Sequence, residues 1–401
     1  MMRIAGVVCE YNPFHTGHRY QLAATRLAGA DAIVCVMSGN FVQRGEPALI
    51  SKWTRAEAAV HCGADLVVEL PTSCALLSAE GFADNAVSLL LSAGVNLLSF
   101  GSEGGDAAAV FSAAKLLCSE DFEPLLREEL ALGLSYAAAR QKALIRLGGK
   151  GELLTNPNDN LAVEYCKALI RREMQLPLLA VQRQGAGHNQ PADRLGSSLA
   201  QAKAGSFSAS ALRSDYFETG GALWKTAVPH AALSLFEAEL EKTGGASLLL
   251  LERSLIASLR KSGLTELHSL PDAVPDLVNR LKRSSSLPSL EEILTETASK
   301  QYTRSRARRL ILRCFLGLSH AGPPDYLQIL AFNDTGRELL RRAQEGALPV
   351  IIKPAAHKAL LAEEALLTDL YSLFAKRPLP AARELTASPK YVPGRHEMPA
   401  Q

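Results

Sequence analysis

The sequence lacks both a regular cysteine framework and a strong excess of charge of either sign. Its seven cysteines are scattered and include no CxxC pair, which argues against a disulfide-stapled secreted fold, and we expect reduced intracellular thiols. The formal net charge is only +2 over 401 residues. This excludes a nucleic-acid-binding surface that covers the whole molecule, so any such site must be a local patch.

Long uninterrupted hydrophobic runs are also missing. The longest apolar stretch, from Leu70 to Leu98, contains Glu80, Asp84 and Asn85, so we do not expect it to span a membrane. The first residues enter an apolar segment directly, which leaves no room for a signal peptide. We therefore predict a cytoplasmic protein.

Short apolar segments alternate with segments of helical periodicity over the first 180 residues. The predicted strands are residues 4–8, 32–37, 65–70, 96–100 and 178–183. This alternation predicts an α/β fold, a Rossmann-like doubly wound parallel sheet that binds ligands at the carboxyl ends of its strands. A polar, Gly- and Ser-rich segment, residues 185–208, is predicted to be either a loop over the site or a mobile loop.

The alternation stops after about residue 214, and this divides the chain into three predicted parts. Residues 1–214 are a nucleotide-binding domain. Residues 215–378 are mainly helical, with a small α/β addition at residues 326–353. Residues 379–401, rich in Pro, Ala and charge, are predicted to be a mobile tail.

The turn after the first predicted strand carries the clearest chemical signal. His15, Gly17 and His18 open a helix directly after a Pro-containing turn, and backbone N–H groups at a helix start bind phosphate. Two histidines three residues apart can face one anion. Two alternatives remain: a zinc pair, which would need further ligands beyond the nearby Cys9, and two histidines that only cap the helix.

A second helix start has the residues of a phosphate clamp. Ser208 and Ser210 precede Arg213 by five and three residues, so hydroxyls, backbone N–H groups and a guanidinium can surround terminal phosphates. The alternative is an ordinary capped helix. Together with the histidine turn, the segment predicts a two-ended clamp on a nucleoside triphosphate.

Further candidates stand at predicted strand ends and helix starts. Gly101 follows a strand where the backbone could approach a nucleotide, although a tight turn would also explain a glycine. Asn158 and Asp159 begin a helix, where they could contact a nucleotide or only cap the helix. Arg183 ends the fifth strand, again at a ligand position.

Basic residues are concentrated in two places. Arg44, Lys52 and Arg55 follow the second strand, where they could meet phosphate, acid or RNA or could form a solvated face. The denser run has no acidic residue from 297 to 324, which favours a phosphate-backbone partner over a solvated face. The candidate RNA-binding residues of this run are Lys300, Arg304, Arg306, Arg308, Arg309 and Arg313.

Several of these segments resemble a known family. Residues 10–18, EYNPFHTGH, resemble the HxGH signature of the HIGH-type nucleotidyltransferases. Residues 37–47, 52–55, 63–71, 100–103, 208–213 and 302–304 are similar to segments of bacterial tRNA(Met) cytidine acetate ligases. The similarity spans most of the chain up to about residue 318.

The resemblance implies a two-step reaction. ATP activates acetate to acetyladenylate with release of pyrophosphate, and the acetyl group passes to the wobble cytidine of elongator tRNA(Met), giving N(4)-acetylcytidine. His15 and His18 are then the catalytic residues. Mg²⁺ is expected to share the phosphate charge, and no zinc is expected.

The resemblance also implies a set of ATP contacts and a role for the basic run. Ser208, Ser210 and Arg213 would hold the β and γ phosphates, and the basic run would bind the tRNA. The remaining implied ATP contacts are Val7, Val8, Cys9, Glu10, Tyr11, Asn12, Pro13, Phe14, His15, Thr16, Gly17, His18, Arg19, Tyr20, Gly101, Asn158, Asp159 and Arg183.

Two other functions fit parts of the pattern. A small-molecule adenylyltransferase of cofactor biosynthesis would use the same histidine turn and clamp, but it would not need the basic run. A non-catalytic ATP- or RNA-binding module is the third hypothesis, and the intact histidine turn argues against it. Acetate-dependent exchange of pyrophosphate into ATP distinguishes the three.

Overall fold

A mixed sheet of eight strands forms the centre of the computed structural model, which describes residues 2–183 and 207–394. Strands β3 and β4 form a separate antiparallel hairpin. In chain order the strands are β1 Ile4–Cys9, β2 Ala32–Ser38, β3 Phe41–Val42, β4 Glu46–Pro47, β5 Leu66–Leu70, β6 Leu97–Ser102, β7 Leu178–Gln182, β8 Leu327–Phe332, β9 Val350–Ile351 and β10 Lys390–Tyr391.

The five strands of the first half are parallel and lie in the order β5-β2-β1-β6-β7. They are short, apolar runs because helices cover both faces of the sheet. The chain moves outward in one direction from β1 to β5 and in the other from β6 to β7. The strand order therefore reverses between β1 and β6, and a crevice opens there at the carboxyl ends. The predicted doubly wound, Rossmann-like sheet is confirmed.

Helices of the first half cover this sheet. One face packs on α4, α5 and α8 and the other on α1 and α2, each through its own buried apolar cluster. The helices are α1 Thr16–Leu27, α2 Lys52–His61, α3 Thr72–Ala75, α4 Ala79–Ser92, α5 Ala107–Leu117, α6 Phe122–Ala131, α7 Tyr136–Arg146 and α8 Pro157–Arg171.

The second half is mainly helical and has a third apolar cluster of its own. None of the helices in residues 2–183 and 207–394 is long and apolar enough to cross a membrane. The α-helices of the second half are, in chain order, α9 Ala209–Thr219, α10 Trp224–Ala227, α11 His230–Thr243, α12 Glu252–Lys261, α13 Leu264–His268, α14 Pro275–Ser284, α15 Leu290–Thr297, α16 Arg304–Leu316, α17 Asp334–Ala343, α18 Ala362–Ser372 and α19 Arg383–Thr386.

The predicted α/β addition belongs to the main sheet. Strand β8 pairs antiparallel with β5, and β9 and β10 pair with β8. An apolar strand within the helical half therefore completes an edge that β5 would otherwise leave unpaired. The boundary at residue 214 stays a prediction, although the sheet takes strands from both sides of it.

The predicted mobile tail is wrong for residues 379–394. Glu384 on α19 is fully buried and accepts from the Lys52 ammonium at 2.8 Å, while Glu69 accepts from the same group at 2.6 Å. A buried ammonium requires such partners, so this ion pair fixes the segment to the sheet. Because the segment is polar in composition, its sequence does not indicate that it is anchored to the sheet. The rest of the predicted tail, like most of the predicted loop at 185–208, lies outside the described residues.

Candidate active site

A cavity of about 1120 Å³ lies at the point where the strand order reverses. Its floor is formed by the carboxyl ends of β1, β6 and β7, including Glu10, Gly101 and Arg183. Its opposite wall comes from the helical half, with Arg306 and Arg309 of α16. The cavity therefore brings the predicted nucleotide residues and part of the predicted RNA-binding run together.

The histidine turn forms one wall and is held by local hydrogen bonds. His15 caps α1, and its Nδ1 accepts the Gly17 N–H at 3.0 Å. The His18 Nδ1 accepts the His15 N–H at 3.2 Å. The two rings stack with centroids 3.8 Å apart. Since both Nδ1 atoms accept, each neutral ring carries its proton on Nε2, which makes Nε2–H a donor.

The capping interpretation of these histidines is therefore confirmed, and it is compatible with the functional interpretation, which stays a prediction. Both rings line the cavity while they cap the helix. Tyr11 and Phe14 are buried and pack against His18 with ring centroids 4.8 and 5.5 Å away. This packing fixes the orientation of the His18 imidazole. Tyr11 itself has a left-handed backbone conformation, φ 47°, which is strained for a residue with a side chain and must be stabilised by the surrounding contacts.

Not every residue of the predicted ATP stretch faces the cavity. Val7 is fully buried in the sheet and Phe14 in the core beneath the turn. Neither they nor Pro13 and Arg19 are among the described residues that line the cavity. Those that do are Val8, Cys9, Glu10, Tyr11, Asn12, His15, Thr16, Gly17, His18 and Tyr20.

Glu10 is the carboxylate nearest to the end of β1. Its Oε1 accepts the Gln43 N–H at 2.7 Å, which ties the β3–β4 hairpin to the cavity floor. Burial raises the pKa of this carboxyl group, and the charges of Arg44 and Arg213 oppose the rise. The electrostatic potential at this end of the cavity therefore depends on one buried carboxylate and on the arginines around it.

The predicted clamp at α9 is present in part. The Arg213 guanidinium donates to the Asn12 carbonyl at 2.9 Å and to Glu46 Oε2 at 3.0 Å, and it lines the cavity. Ser210 also lines the cavity. Ser208 caps α9 by accepting the Ala211 N–H at 3.1 Å and is not among the described lining residues, so the capped-helix interpretation applies to it.

Gly101, Asn158 and Arg183 meet at the carboxyl ends of β6 and β7. Gly101 lies within β6 rather than in a tight turn, and an added Cβ would meet the Arg183 Cγ only at 3.8 Å. The Asn158 amide donates to Glu103 at 2.6 Å and accepts from Arg183 at 3.2 Å. Burial lowers the pKa of Arg183. All three predicted residues line the cavity.

The prediction that Asp159 contacts the nucleotide is wrong. Its side chain is fully buried behind the cavity. Its carboxylate accepts from the Ser102 hydroxyl, from the Glu103 N–H at 3.1 Å and from the Asn156 amide at 3.1 Å. These donors compensate the burial of the charge, so Asp159 fixes the loop after β6.

The basic run on α16 is divided by burial. Arg313 is fully buried, with 0% of its surface accessible to solvent. It donates hydrogen bonds to the carbonyls of Ser73, Leu76 and Leu318. It cannot contact RNA, and that prediction is wrong. Two of these partners, Ser73 in α3 and Leu76 just after it, are distant in sequence, and the sequence does not reveal that contact.

The other members of the run have different surroundings. Arg308 forms an ion pair with Glu46, and Arg304 forms one with Glu291. Arg309 is 7% exposed. Lys300, four residues before α16, is exposed, and Arg304, the first residue of α16, keeps 38% of its side chain exposed. Of the run, these two lie away from the cavity and keep enough exposed surface for an RNA backbone.

Two further cations are structural. Lys52 and Arg55 are fully buried. Lys52 pairs with Glu69 and Glu384, whereas Arg55 donates to the carbonyls of Ile50 at 2.9 Å and Ser38 at 3.2 Å. The hypothesis that they meet phosphate, acid or RNA is therefore wrong for these two residues. Arg44 does line the cavity.

The sequence reasoning missed the wall formed by α7 and α8. Arg140 lines the cavity, donates to Asn160 Oδ1 at 2.8 Å and forms an ion pair with Glu164. Asn160 and Glu164 lie one helical turn apart, which is the only local signal. In residues 2–183 and 207–394 there is no group of three or more His, Cys, Asp or Glu residues that could hold a metal ion.

The sequence matches the family described as HIGH Nucleotidyl Transferase over residues 2–384. Similar curated relatives include the tRNA(Met) cytidine acetate ligases of Acetivibrio thermocellus, 33% identical over 94% of this chain and 96% of that protein, and of Clostridium novyi, 35% identical over 88% and 90%. The structure is similar to the crystal structure of Thermotoga maritima TmcAL bound with alpha-thio ATP. That chain is 28% identical with a TM-score of 0.88, and the match covers 98% of this chain and 100% of that one.

Proposed function

Because the chain belongs to the HIGH nucleotidyl transferases, and within them to the tRNA(Met) cytidine acetate ligases, we propose that its cavity catalyses the following two-step reaction. ATP activates acetate to acetyladenylate, and the acetyl group then passes to the exocyclic amine of the wobble cytidine in elongator tRNA(Met). The observation that carries this proposal is that the histidine turn, Arg213 and Arg183 line one cavity where the strand order reverses.

The activation step needs charge stabilisation more than covalent chemistry. An acetate oxygen attacks the α-phosphorus, and the electron pair of the breaking bond leaves with pyrophosphate. His15 and His18 would donate their Nε2–H groups to phosphate oxygens, because their Nδ1 atoms accept backbone N–H groups. Arg213 would bind the β and γ phosphates. Such pre-oriented donors stabilise charge that develops in the transition state.

The nucleoside end of ATP would lie at the other strand ends. The absence of a side chain at Gly101 leaves room for close approach beside Arg183. Asn158, which is held by Glu103 and Arg183, would offer its amide to the ribose or the base. In this orientation the triphosphate would lie at the histidine turn and the adenosine at β6 and β7.

We propose that Mg²⁺ arrives with the nucleotide. Mg²⁺ is commonly bound by one or two carboxylates together with substrate phosphates and water, and Glu10 is the carboxylate that lines the cavity next to the histidine turn. The ion would neutralise part of the phosphate charge. The protein residues named above would still orient the nucleotide.

The transfer step completes the reaction. The cytidine amine attacks the acetyl carbon, a carbon–nitrogen bond forms, the bond to the adenylate oxygen breaks, and the amine loses a proton as AMP leaves. Anticodon bases are single-stranded and can leave the stack to enter a pocket. Lys300 and Arg304 are the exposed cations that we assign to the tRNA backbone. We place this reaction in the cytoplasm, where tRNA is used.

Exchange of labelled pyrophosphate into ATP tests the activation step. We expect exchange that requires acetate and proceeds without tRNA. No exchange with acetate, together with transfer of AMP to a phosphorylated cofactor, would instead identify a small-molecule adenylyltransferase. ATP binding without either reaction would identify a non-catalytic module.

A further inference from the structure

Besides Arg183 at the β7 end, three arginines line the cavity without an ion pair to a described carboxylate: Arg44, Arg306 and Arg309. The Arg309 Nη1 donates to the Gln43 carbonyl at 3.2 Å, and Arg306 donates to the Asp272 carbonyl at 2.8 Å. In the part of the chain that the structure describes, the guanidinium of Arg44 has no hydrogen-bond partner.

Arg309 is the most informative of the three because it is 93% buried, with 7% of its surface exposed. Among the described residues, its Nε has no hydrogen-bond partner. Burial lowers the pKa of the guanidinium to about 10. The charge of Asp272 opposes this shift, and the charges of Arg306 and Arg313 add to it. Since Arg309 still carries its charge at neutral pH, it places a largely buried cation in the cavity wall, and an anion in the cavity would compensate that charge.

The position of this group within the cavity indicates which anion it binds. Arg309 contacts Gln43, whose N–H is bound by Glu10. The adjacent Arg308 shares the Glu46 carboxylate with Arg213. The α16 wall therefore adjoins the Arg213 end of the cavity, where the terminal phosphates of ATP are proposed to lie.

Charge and access exclude the other anions of the reaction. Acetate carries one negative charge, too few to match three guanidinium groups even with the Glu10 and Asp272 carboxylates in the cavity wall. An RNA backbone would need side chains on an open surface, whereas Arg309 is nearly fully buried. A polyphosphate, which is compact and carries several charges, matches both the number and the burial of these cations.

We propose that Arg44, Arg306 and Arg309 form a polyphosphate subsite that binds the β and γ phosphates of ATP and the pyrophosphate leaving group. This inference rests on the proposed function. The bond from the α-phosphorus to its bridging oxygen breaks as the acetate–phosphorus bond forms, and the electron pair that leaves with pyrophosphate is stabilised by these guanidinium groups. The buried face of α16 thereby serves acetate activation rather than tRNA binding.

The test measures pyrophosphate binding and tRNA binding separately on the full-length protein. Calorimetry with inorganic pyrophosphate should give a Kd that rises at least about tenfold in Arg309→Gln and in Arg44→Gln, because each variant loses charged hydrogen bonds. Arg309→Lys, which keeps the charge, should lie between wild type and Arg309→Gln. The matched control is Arg253→Gln, an exposed arginine on α12 away from the cavity.

The tRNA measurement decides between the two roles of α16. Filter binding should give tRNA Kd values within about twofold of wild type for Arg309→Gln and Arg44→Gln. Weakened tRNA binding with an unchanged pyrophosphate Kd would overturn the proposal. If Arg309→Gln fails to fold, Arg44→Gln decides alone, since Arg44 is half-buried and has no hydrogen bond to a described residue to lose.

Direct binding also separates this inference from the function it rests on. A wild-type protein that binds pyrophosphate through Arg309 but shows no acetate-dependent exchange would refute the proposed function and support the subsite. A wild-type protein that exchanges pyrophosphate normally while both variants keep the wild-type Kd would refute the subsite alone.

Discussion

The histidine turn and the arginine-rich helix α16 are both conspicuous in the sequence, yet only one could be interpreted from its neighbours. In the turn, each histidine is held by a backbone N–H two or three residues away. In α16, Arg308 pairs with Glu46, which is 262 positions away, and Arg313 binds the carbonyl of Leu76, 237 positions away. Local spacing therefore fixes the chemistry of the turn, whereas the tertiary fold decides which arginines of α16 remain available.

This difference explains why the two histidines of the turn share the same surroundings, whereas the arginines of α16 have three different ones. Each histidine of the turn caps α1 and lines the cavity at once. Along α16, Arg304 is exposed, Arg309 faces the cavity and Arg313 anchors a loop. A basic run with no acidic residue nearby in sequence was interpreted as one RNA-binding surface, but its carboxylate and carbonyl partners come from other elements.

The largest expected effect is on the turn. His18→Ala should lower acetate-dependent pyrophosphate exchange by about a hundredfold to a thousandfold, because it removes one pre-oriented donor to the phosphates. The lost helix-cap hydrogen bond should cost only about 1 kcal/mol in the free energy of unfolding. Exchange of labelled pyrophosphate into ATP measures the loss of activity, and urea denaturation measures the free energy of unfolding.

The control for this variant is His230→Ala, which removes an exposed histidine from the first turn of α11. It should exchange pyrophosphate at the wild-type rate. Retained exchange in His18→Ala would contradict the role of the turn, and loss of exchange that merely follows loss of folding would reduce it to a capping role.

The next effect concerns the buried end of α16. Arg313→Met should lower the free energy of unfolding by about 3 kcal/mol or more, since several buried carbonyls lose their donor. Arg304→Met, on the same helix and with 38% of its side chain exposed, should change it by less than about 1 kcal/mol. Urea denaturation compares the two. Equal stability of both variants would contradict the division of the helix by burial.

The smallest effect concerns the exposed start of the helix. Reversing the charges of Lys300 and Arg304 to Glu should weaken tRNA binding and reduce the slope of log K against log salt by about 1 to 2, because two phosphate contacts are lost. Filter binding at several salt concentrations measures the slope. The matched control reverses Arg253 and Lys261 on α12, both exposed. An identical slope in the two double variants would remove α16 from the tRNA-binding surface.

Much of the fold followed from the sequence because its signals are local. The five parallel strands and their helices are alternating apolar runs, and their order places the cavity at the predicted edge. The antiparallel strand β8 and the burial of Glu384 could not be predicted in the same way. Both depend on pairing with elements near the start of the chain, β5 and Lys52, which no local pattern records.

The same limit applies within the site. Gly101 and Asn158 line the cavity because they stand near a strand end and at a helix start, which are visible in the sequence, and their contact with a nucleotide stays a prediction. Asp159 was assigned to the nucleotide because it stands with Asn158 at a helix start and because the family resemblance implies the contact, yet one position along a helix turns a side chain by about 100°. It therefore faces the buried Ser102 instead.

Acetylation of tRNA tests the central claim, that one cavity activates acetate and delivers it to tRNA. The protein is incubated with ATP, ¹³C-labelled acetate and a tRNA(Met) transcript, and the digested RNA is analysed by mass spectrometry. We predict labelled N(4)-acetylcytidine at the wobble position and none in a transcript with uridine there. Acetate-dependent exchange without any acetylated cytidine would contradict the claim.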